Sequence, residues 1–298
     1  MRFFETLKAQ HPLLGFADSR LILPYLLRLD DPFDPTSRAP LVLIDVGANT
    51  GDTSAALVGL FTSSECARYL RVLPQPKDAH DGCPRSRARI FAFEPLSANF
   101  RVLSERAAEG GWAESGWTGV NAAAVSPELA VNGSIVFFGD ENVGNQQGSL
   151  DVHASRATID EAANKWRMQV RALTIDAHLA ASGLQEATIS LLKVDTEGFD
   201  GHVLRGAQKA LALHRVRAIV FEYNDKWRFA KGESLEGTVA FLESLEYECF
   251  MITPSLFIPI SAVFWDARFE WFGWSNVLCM VRGARETTAL VAFFNALH

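Results

Sequence analysis

Residues 41–61 leave this chain little conformational choice. An apolar run, Leu41-Val42-Leu43-Ile44, passes directly into Asp45-Val46-Gly47-Ala48-Asn49-Thr50-Gly51-Asp52-Thr53 and then into the helical pattern SAALVGLF. A strand apolar at every position is buried on both faces, which is the environment of a parallel sheet covered by helices. The two glycines permit positive φ and close backbone approach, and the helix that follows presents unpaired N–H groups to the turn. Strand, glycine turn and helix make the first half of a βαβ unit.

The rest of the chain repeats that alternation. Arg89 to Phe93 reads as a second strand ending at Glu94-Pro95, followed by the helical SANFRVLSERAAE. Gly119 to Val125 is a third short apolar stretch, and Gly133 to Phe138 reads as an added strand. Ile189 to Asp195 and Val216 to Glu222 read as strands, with a helix over 202–214 between them. Phe241 to Ile252 supplies a further helix-to-strand step, and Trp274 to Val281 a final antiparallel edge strand. Strands alternating with helices predict one mostly parallel α/β domain over 41–298. Residues 1–40 form a preamble, helical or lid-like, broken by Pro24 and a proline-rich loop. Stretches near 62–88 and 139–165 read as insertions; the first is expected as a surface loop and the second as a cover for a site.

Charge narrows the partners. Of 298 residues, 28 are Lys or Arg and 35 Asp or Glu, a formal net charge of −7. An acidic balance argues against a nucleic-acid partner, which needs a basic face. No apolar run is long enough to span a membrane. Cys66, Cys83, Cys249 and Cys279 are scattered, which predicts neither a disulfide framework nor a zinc site and fits a reducing compartment. The opening MRFFETLKAQHPLLGF lacks a secretory pattern, so the expectation is a cytoplasmic protein.

In open α/β sheets ligands sit at the carboxyl ends of the strands. The turn there carries Asp45, Gly47, Asn49 and Gly51, and Glu94 ends the next strand, where a carboxylate can accept both hydroxyls of a ribose. The glycines run G-x-x-x-G rather than the dinucleotide pattern G-x-G-x-x-G. Asp45 would repel a pyrophosphate but accept an ammonium group. S-adenosylmethionine has an ammonium, a sulfonium and a ribose, and no phosphate. At this level a dinucleotide-dependent oxidoreductase, or a turn that only connects strand to helix, stays open.

Taken together, IDVGANTGDTS, FAFEPLSANFRVL, VNAAAVS, VRALTIDAHL, LLKVDTEGFDGHVLRGA and IVFEYN resemble the FkbM family of S-adenosylmethionine-dependent methyltransferases, in the family's order over 41–224. The resemblance implies a Rossmann-like class I fold, a seven-stranded mostly parallel sheet with helices on both faces. It also implies S-adenosylmethionine as methyl donor and transfer to a hydroxyl oxygen of a small molecule or glycan. By family position, Asn121 and Ala123 would line the adenine. The 62–88 insertion and His202, where an acidic or small residue is commoner, depart from the pattern.

Lys193 and Asp195 are two apart on a strand and so share a face. A buried ammonium needs a partner, and Asp195 and Glu222, at the ends of neighbouring strands, are the candidates. Lys193, Asp195 and Glu222 are therefore the candidate catalytic residues, with Asp195 nearest the transferred methyl. Glu197 reads as a helix cap favoured by the dipole, and His202 as a surface residue. Asp195, Glu197 and Glu222 could hold a divalent cation through oxygen, but no histidine clusters with them and a metal is not expected. The C-terminal aromatics read as core, as the surface of a possible homodimer, or as a lid over the acceptor. The remaining alternative is a non-catalytic cofactor-binding module on the same fold.

Overall fold

The computed structural model describes residues 40–59, 87–139, 149–150, 166–229, 232–252, 257–271 and 273–296. The preamble, nearly all of the 62–88 insertion and most of 139–165 lie outside the described residues. In β1 (Leu41–Val46) all six residues are buried. Its side chains alternate between two cores: Leu41 and Leu43 enter one, and Val42, Ile44 and Val46 the other. That alternation is the pleat of a strand covered on both faces.

β1 lies inside an eight-stranded sheet, with two strands on one side and five on the other. On one side it pairs in parallel with β2 (Ala88–Phe93), which pairs with β3 (Trp117–Val120). On the other it pairs with β8 (Ile189–Val194), followed by β9 (Ala218–Tyr223). Beyond β9 lie β12 (Ser275–Val281), β10 (Tyr247–Ile252) and β11 (Phe257–Pro259). β12 is antiparallel to β9 and to β10, and β11 is antiparallel to β10. The expected seven strands are thus eight. The extra one, Phe257–Pro259, is three residues long and ends on a proline that cannot donate to a ladder, which an edge position tolerates.

A second, four-stranded sheet runs β4 (Ala123–Ala124), β7 (Trp166–Leu173), β5 (Ser134–Gly139) and β6 (Ser149–Leu150). The strand expected at 133–138 is β5, paired antiparallel with β7. The stretch 119–125, expected as one strand, is divided between the two sheets, with Asn121 and Ala122 at the crossing.

Helices cover both faces of the main sheet. α1 (Asp52–Gly59), α2 (Ser97–Glu109) and α7 (Arg285–Ala296) place Leu57, Leu103 and Leu290 in the core with Leu43. α3 (Ile175–Ala181), α4 (Asp200–Arg205), α5 (Gln208–Ala212) and α6 (Leu235–Ser244) place Leu179, Val203, Leu211 and Leu235 with Ile44.

The single helix expected over 202–214 is two. It breaks at Gly206, where a Cβ would fall 2.2 Å from the carbonyl oxygen of Val125. Gly206 accepts from the Asp176 N–H at 3.0 Å, and the Asp176 carboxylate accepts from the backbone of Lys209 at 2.8 Å and Ala210 at 3.1 Å. α5 therefore starts on a borrowed cap. Cys249 and Cys279 stand opposite one another on β10 and β12 and are joined by a disulfide. This corrects the expectation of unpaired cysteines, and with it the argument for a reducing compartment. The pair is 30 residues apart in sequence and meets only through the strand order. Among the described residues no helix is long and apolar enough to cross a membrane.

Asp176→Ala removes both acceptors from the start of α5 and should cost about 1–2 kcal/mol of stability, read from urea unfolding. Asp176→Asn, which retains one acceptor, should lose less.

Candidate cofactor and active site

The chain leaves β1 towards β2 and β3, then returns to the opposite side of β1 with β8, so the strand order reverses between the carboxyl ends of β1 and β8. A cavity of about 220 Å³ opens there. Ligands of open α/β sheets occupy this position. Residues 46–53 form one wall, 93–96 and Asn99 a second, and Ala122 to Ala124 with Phe137 a third; Lys193, Asp195, Thr196, Glu197 and Glu222 close it.

The turn after β1 is held by its glycines. Gly47 has φ +77°, and a Cβ there would lie 1.8 Å from the Asp195 carbonyl oxygen. Gly51 has φ +98°, and its Cβ would lie 2.5 Å from Leu103 Cδ1. Both need the absence of a side chain. Asn49 is also left-handed, with φ 50°. Its N–H donates to Glu94 Oε2 at 2.9 Å, while the Leu96 N–H donates to Oε1 at 2.9 Å. Glu94 thus ties the glycine turn to the end of β2, and each oxygen retains acceptor capacity towards the cavity. Burial pushes its carboxyl up to about 7, against the lowering effect of these two backbone donors.

Asp45 occupies a different place from the one expected. It is fully buried and does not line the cavity. Its Oδ2 accepts from the Ser54 hydroxyl at 2.8 Å, and its Oδ1 lies 3.3 Å from Lys193 Nζ. The ammonium it receives is the protein's own. Asn121 also stays off the wall, its amide donating to the carbonyls of Glu94 at 2.8 Å and Pro95 at 3.1 Å. Ala123 does line the cavity.

Lys193 pairs with Asp195 at 3.4 Å, one of its two expected partners, and its second partner is Asp45 in place of Glu222. Burial alone would lower its pKa, but Asp195 and Asp45 more than offset this and hold it above the ordinary lysine range. A lysine held cationic is a poor proton acceptor. Asp195 keeps a side chain 39% exposed at the cavity mouth.

Glu222 is the third member. Its Oε2 accepts from the Asn224 amide at 2.6 Å, and Oε1 from the Trp274 indole N–H. Burial first, and then Asp195, push its carboxyl up to about 8, against the Trp274 hydrogen bond. Glu197 does not cap α4. It lies in the preceding turn with φ 58°, 2.7 Å from Lys226 Nζ and 3.1 Å from the Asn224 amide. Carboxylate oxygens of Asp195, Glu197 and Glu222 lie within 4.8 Å of one another. His202, expected at the surface, is buried with Nδ1 3.2 Å from the Ser126 hydroxyl, and burial lowers its pKa.

Sequence reasoning missed Thr50, Asp52, Leu96, Asn99 and Phe137 on the cavity wall, and the clamp of Asn224 and Trp274 on Glu222. Asn224 ends the block IVFEYN, so its proximity to Glu222 was available; Trp274 lies just before β12, 52 residues after Glu222.

Among comparisons with known proteins, the model of the methyltransferase FkbM domain matches residues 45–249. The chain belongs to the FkbM methyltransferase family. A search of the curated proteins returned no match. Solved structures similar to it include the methyltransferase FkbM from Methylobacillus flagellatus KT, at 13% identity over 86% of this chain and 48% of that one, TM-score 0.41. The precorrin-6y C5,15-methyltransferase from Geobacter metallireducens GS-15 is 12% identical over 88% of each chain, TM-score 0.37. The human methyltransferase 10 domain containing protein is 9% identical over 88% of this chain and 81% of that one, TM-score 0.34. The chain thus spans about half the length of the Methylobacillus flagellatus structure.

Gly47→Ala puts a Cβ on the Asp195 carbonyl and should destabilise the fold by about 2 kcal/mol or more in urea unfolding. Asp200, fully buried at the start of α4, is pushed from 3.8 up to about 7 by burial and by Asp195. A carboxyl raised in the folded state supports stability below its unfolded pKa and loses that support as pH rises through the folded value. Unfolding free energy should therefore fall between about pH 4 and pH 7, and Asp200→Asn should make that fall shallower.

Proposed function

We propose that this FkbM-family chain uses S-adenosylmethionine as methyl donor and methylates a hydroxyl oxygen of a small molecule or glycan. The observation that carries the reading is the charge of the cavity wall. Among the described residues five carboxyl groups line it, Asp52, Glu94, Asp195, Glu197 and Glu222, and Lys193 is the one basic side chain on the wall itself, paired with Asp45 and Asp195, while Arg106 and Lys226 pair with Asp52 and Glu197 from behind. A pyrophosphate would enter a field of its own sign, whereas a ligand bearing a sulfonium and an ammonium is attracted. This supports a sulfonium nucleoside over a dinucleotide and disfavours a nucleic-acid acceptor.

The residues divide the work by position. Glu94 has acceptor capacity for a ribose, and Ala122 to Ala124 with Phe137 and Leu96 offer a flat apolar slot suited to a purine. Asn49, on the glycine-turn wall, has a buried Oδ1 without a hydrogen-bond partner, an unused acceptor that a nucleoside could satisfy. Asp45 acts indirectly, holding Lys193. When bound, the donor supplies an electrophilic methyl group for in-line displacement, and positioning of the acceptor provides much of the acceleration. Asp195 and Glu222 face the space an acceptor must occupy; Lys193 fixes Asp195, which leaves Glu222 as the group able to take a hydroxyl proton.

Calorimetric titration with S-adenosylmethionine, S-adenosylhomocysteine and NAD tests the reading. The first two should bind at micromolar concentration and NAD should not. Glu94→Ala should weaken both sulfur nucleotides by about tenfold or more, and Glu222→Gln should abolish turnover while S-adenosylhomocysteine still binds. Binding of NAD alone would make the chain a dinucleotide protein. Binding of the sulfur nucleotides without turnover on any hydroxyl acceptor would make it a cofactor-binding module.

A further inference from the structure

The contact between Glu222 and Trp274 joins two parts of the chain that no family block links. Glu222 lies on β9, in direct register with Asn276 on β12, and Trp274 immediately precedes that strand. This register brings the indole over the carboxylate. Asn224 takes the other oxygen, and is itself fixed: its Oδ1 accepts the Lys226 N–H at 2.9 Å and its amide also donates to Glu197. The backbone carbonyl of Glu222 accepts the Trp227 indole N–H at 3.0 Å. The carboxylate therefore has one rigid donor on each oxygen and faces the cavity with its remaining lone pairs.

We propose that Trp274 is a positioning residue for methyl transfer, holding the Glu222 carboxylate at the cavity wall as the group that receives the acceptor's hydroxyl proton. The proposal rests on the methyltransferase reading above. In the step it serves, the acceptor oxygen forms a bond to the methyl carbon as the bond from that carbon to sulfur breaks. The bonding pair goes to sulfur, which becomes a neutral thioether, and the hydroxyl proton goes to Glu222. Charge balances: one sulfonium and one carboxylate enter, and two neutral groups leave.

The charged groups around Glu222 are known. Asp195 and Glu197 approach from the turn after β8, and Asp200 from the start of α4. Two of them carry cations of their own, Lys193 on Asp195 and Lys226 on Glu197. Three acids and burial favour the protonated form, and the indole N–H opposes them. A sulfonium arriving beside Glu222 would favour the ionised form further, and a neutral thioether would not.

The test uses the full-length protein labelled with ¹⁵N in its tryptophans, with the indole N–H resonances followed against pH. The Trp274 resonance is identified by its loss in Trp274→Phe. It should move with a midpoint near 8, the movement should vanish in Glu222→Gln, and the Trp227 resonance should move far less. Saturating S-adenosylmethionine should lower that midpoint by at least about one pH unit relative to S-adenosylhomocysteine. No movement of the Trp274 resonance in the wild-type protein, its persistence in Glu222→Gln, or equal midpoints with the two nucleotides would overturn the proposal. The wild-type titration stands even if a variant fails to fold. Failure of S-adenosylmethionine to bind in calorimetry would instead remove the cofactor reading, with the clamp still decided by the unliganded titration.

Discussion

The Gly47 backbone passes so close to the Asp195 carbonyl that no side chain fits between them, and the cavity owes its shape to that approach. The Asp195 N–H donates to the Val46 carbonyl at 3.0 Å, so β1 and β8 stay paired to their last residue before the two turns diverge. Lys193 crosses under this junction to Asp45 on β1 while also reaching Asp195 beyond β8. One ammonium thus joins the two strand ends whose separation makes the cleft. A buried ion pair adds little net stability by itself, but losing one partner strands a buried charge. The three residues therefore stand or fall together.

Around this junction the protein concentrates acid. Glu94, Asp200 and Glu222 are each displaced well above the ordinary carboxylate range, burial being the largest cause in every case. Each of these carboxyls also accepts hydrogen bonds that favour its ionised form, from backbone N–H groups at Glu94 and Asp200 and from Trp274 at Glu222. The site balances near neutrality instead of committing to one protonation state. Such balance suits a group that must be anionic before proton transfer and neutral after it.

The strands of the main sheet were legible because burial on both faces leaves a continuous apolar run, and the glycine turn because only glycine fits where Gly47 and Gly51 sit. What depended on distant partners was not. The break at Gly206 is imposed by Val125, the edge strand at Phe257–Pro259 by β10, and the Cys249–Cys279 bond by the order of β10 and β12. The same limit applied at the site. Parity along β8 placed Lys193 with Asp195 correctly, but the second partner required knowing that Asp45 and Lys193 are register mates on adjacent strands. Parity along β1 turns Asp45 to the same face as Leu41 and Leu43, where Ser54 of α1 and Lys193 take up its carboxylate.

If the proposed sulfonium donor occupies the cleft, the displacement of Asp45 from the wall changes how its charge is met. An aspartate in direct contact with a ligand's ammonium would fix one charge at one point. In this structure Asp45 shares the Lys193 ammonium with Asp195, and the attraction for such a cation would come from the carboxyls that line the cavity. A cation entering the cleft lowers the pKa of each carboxyl it faces, so binding and proton release are coupled. The wall then becomes most negative only when occupied, and the empty site avoids burying several uncompensated charges. Asn49 and Glu197, one in each turn bordering the cleft, are held in left-handed backbone. Strain of that kind persists where the surrounding contacts over-determine it, and here Glu94 holds the first turn while Lys226 and Asn224 hold the second.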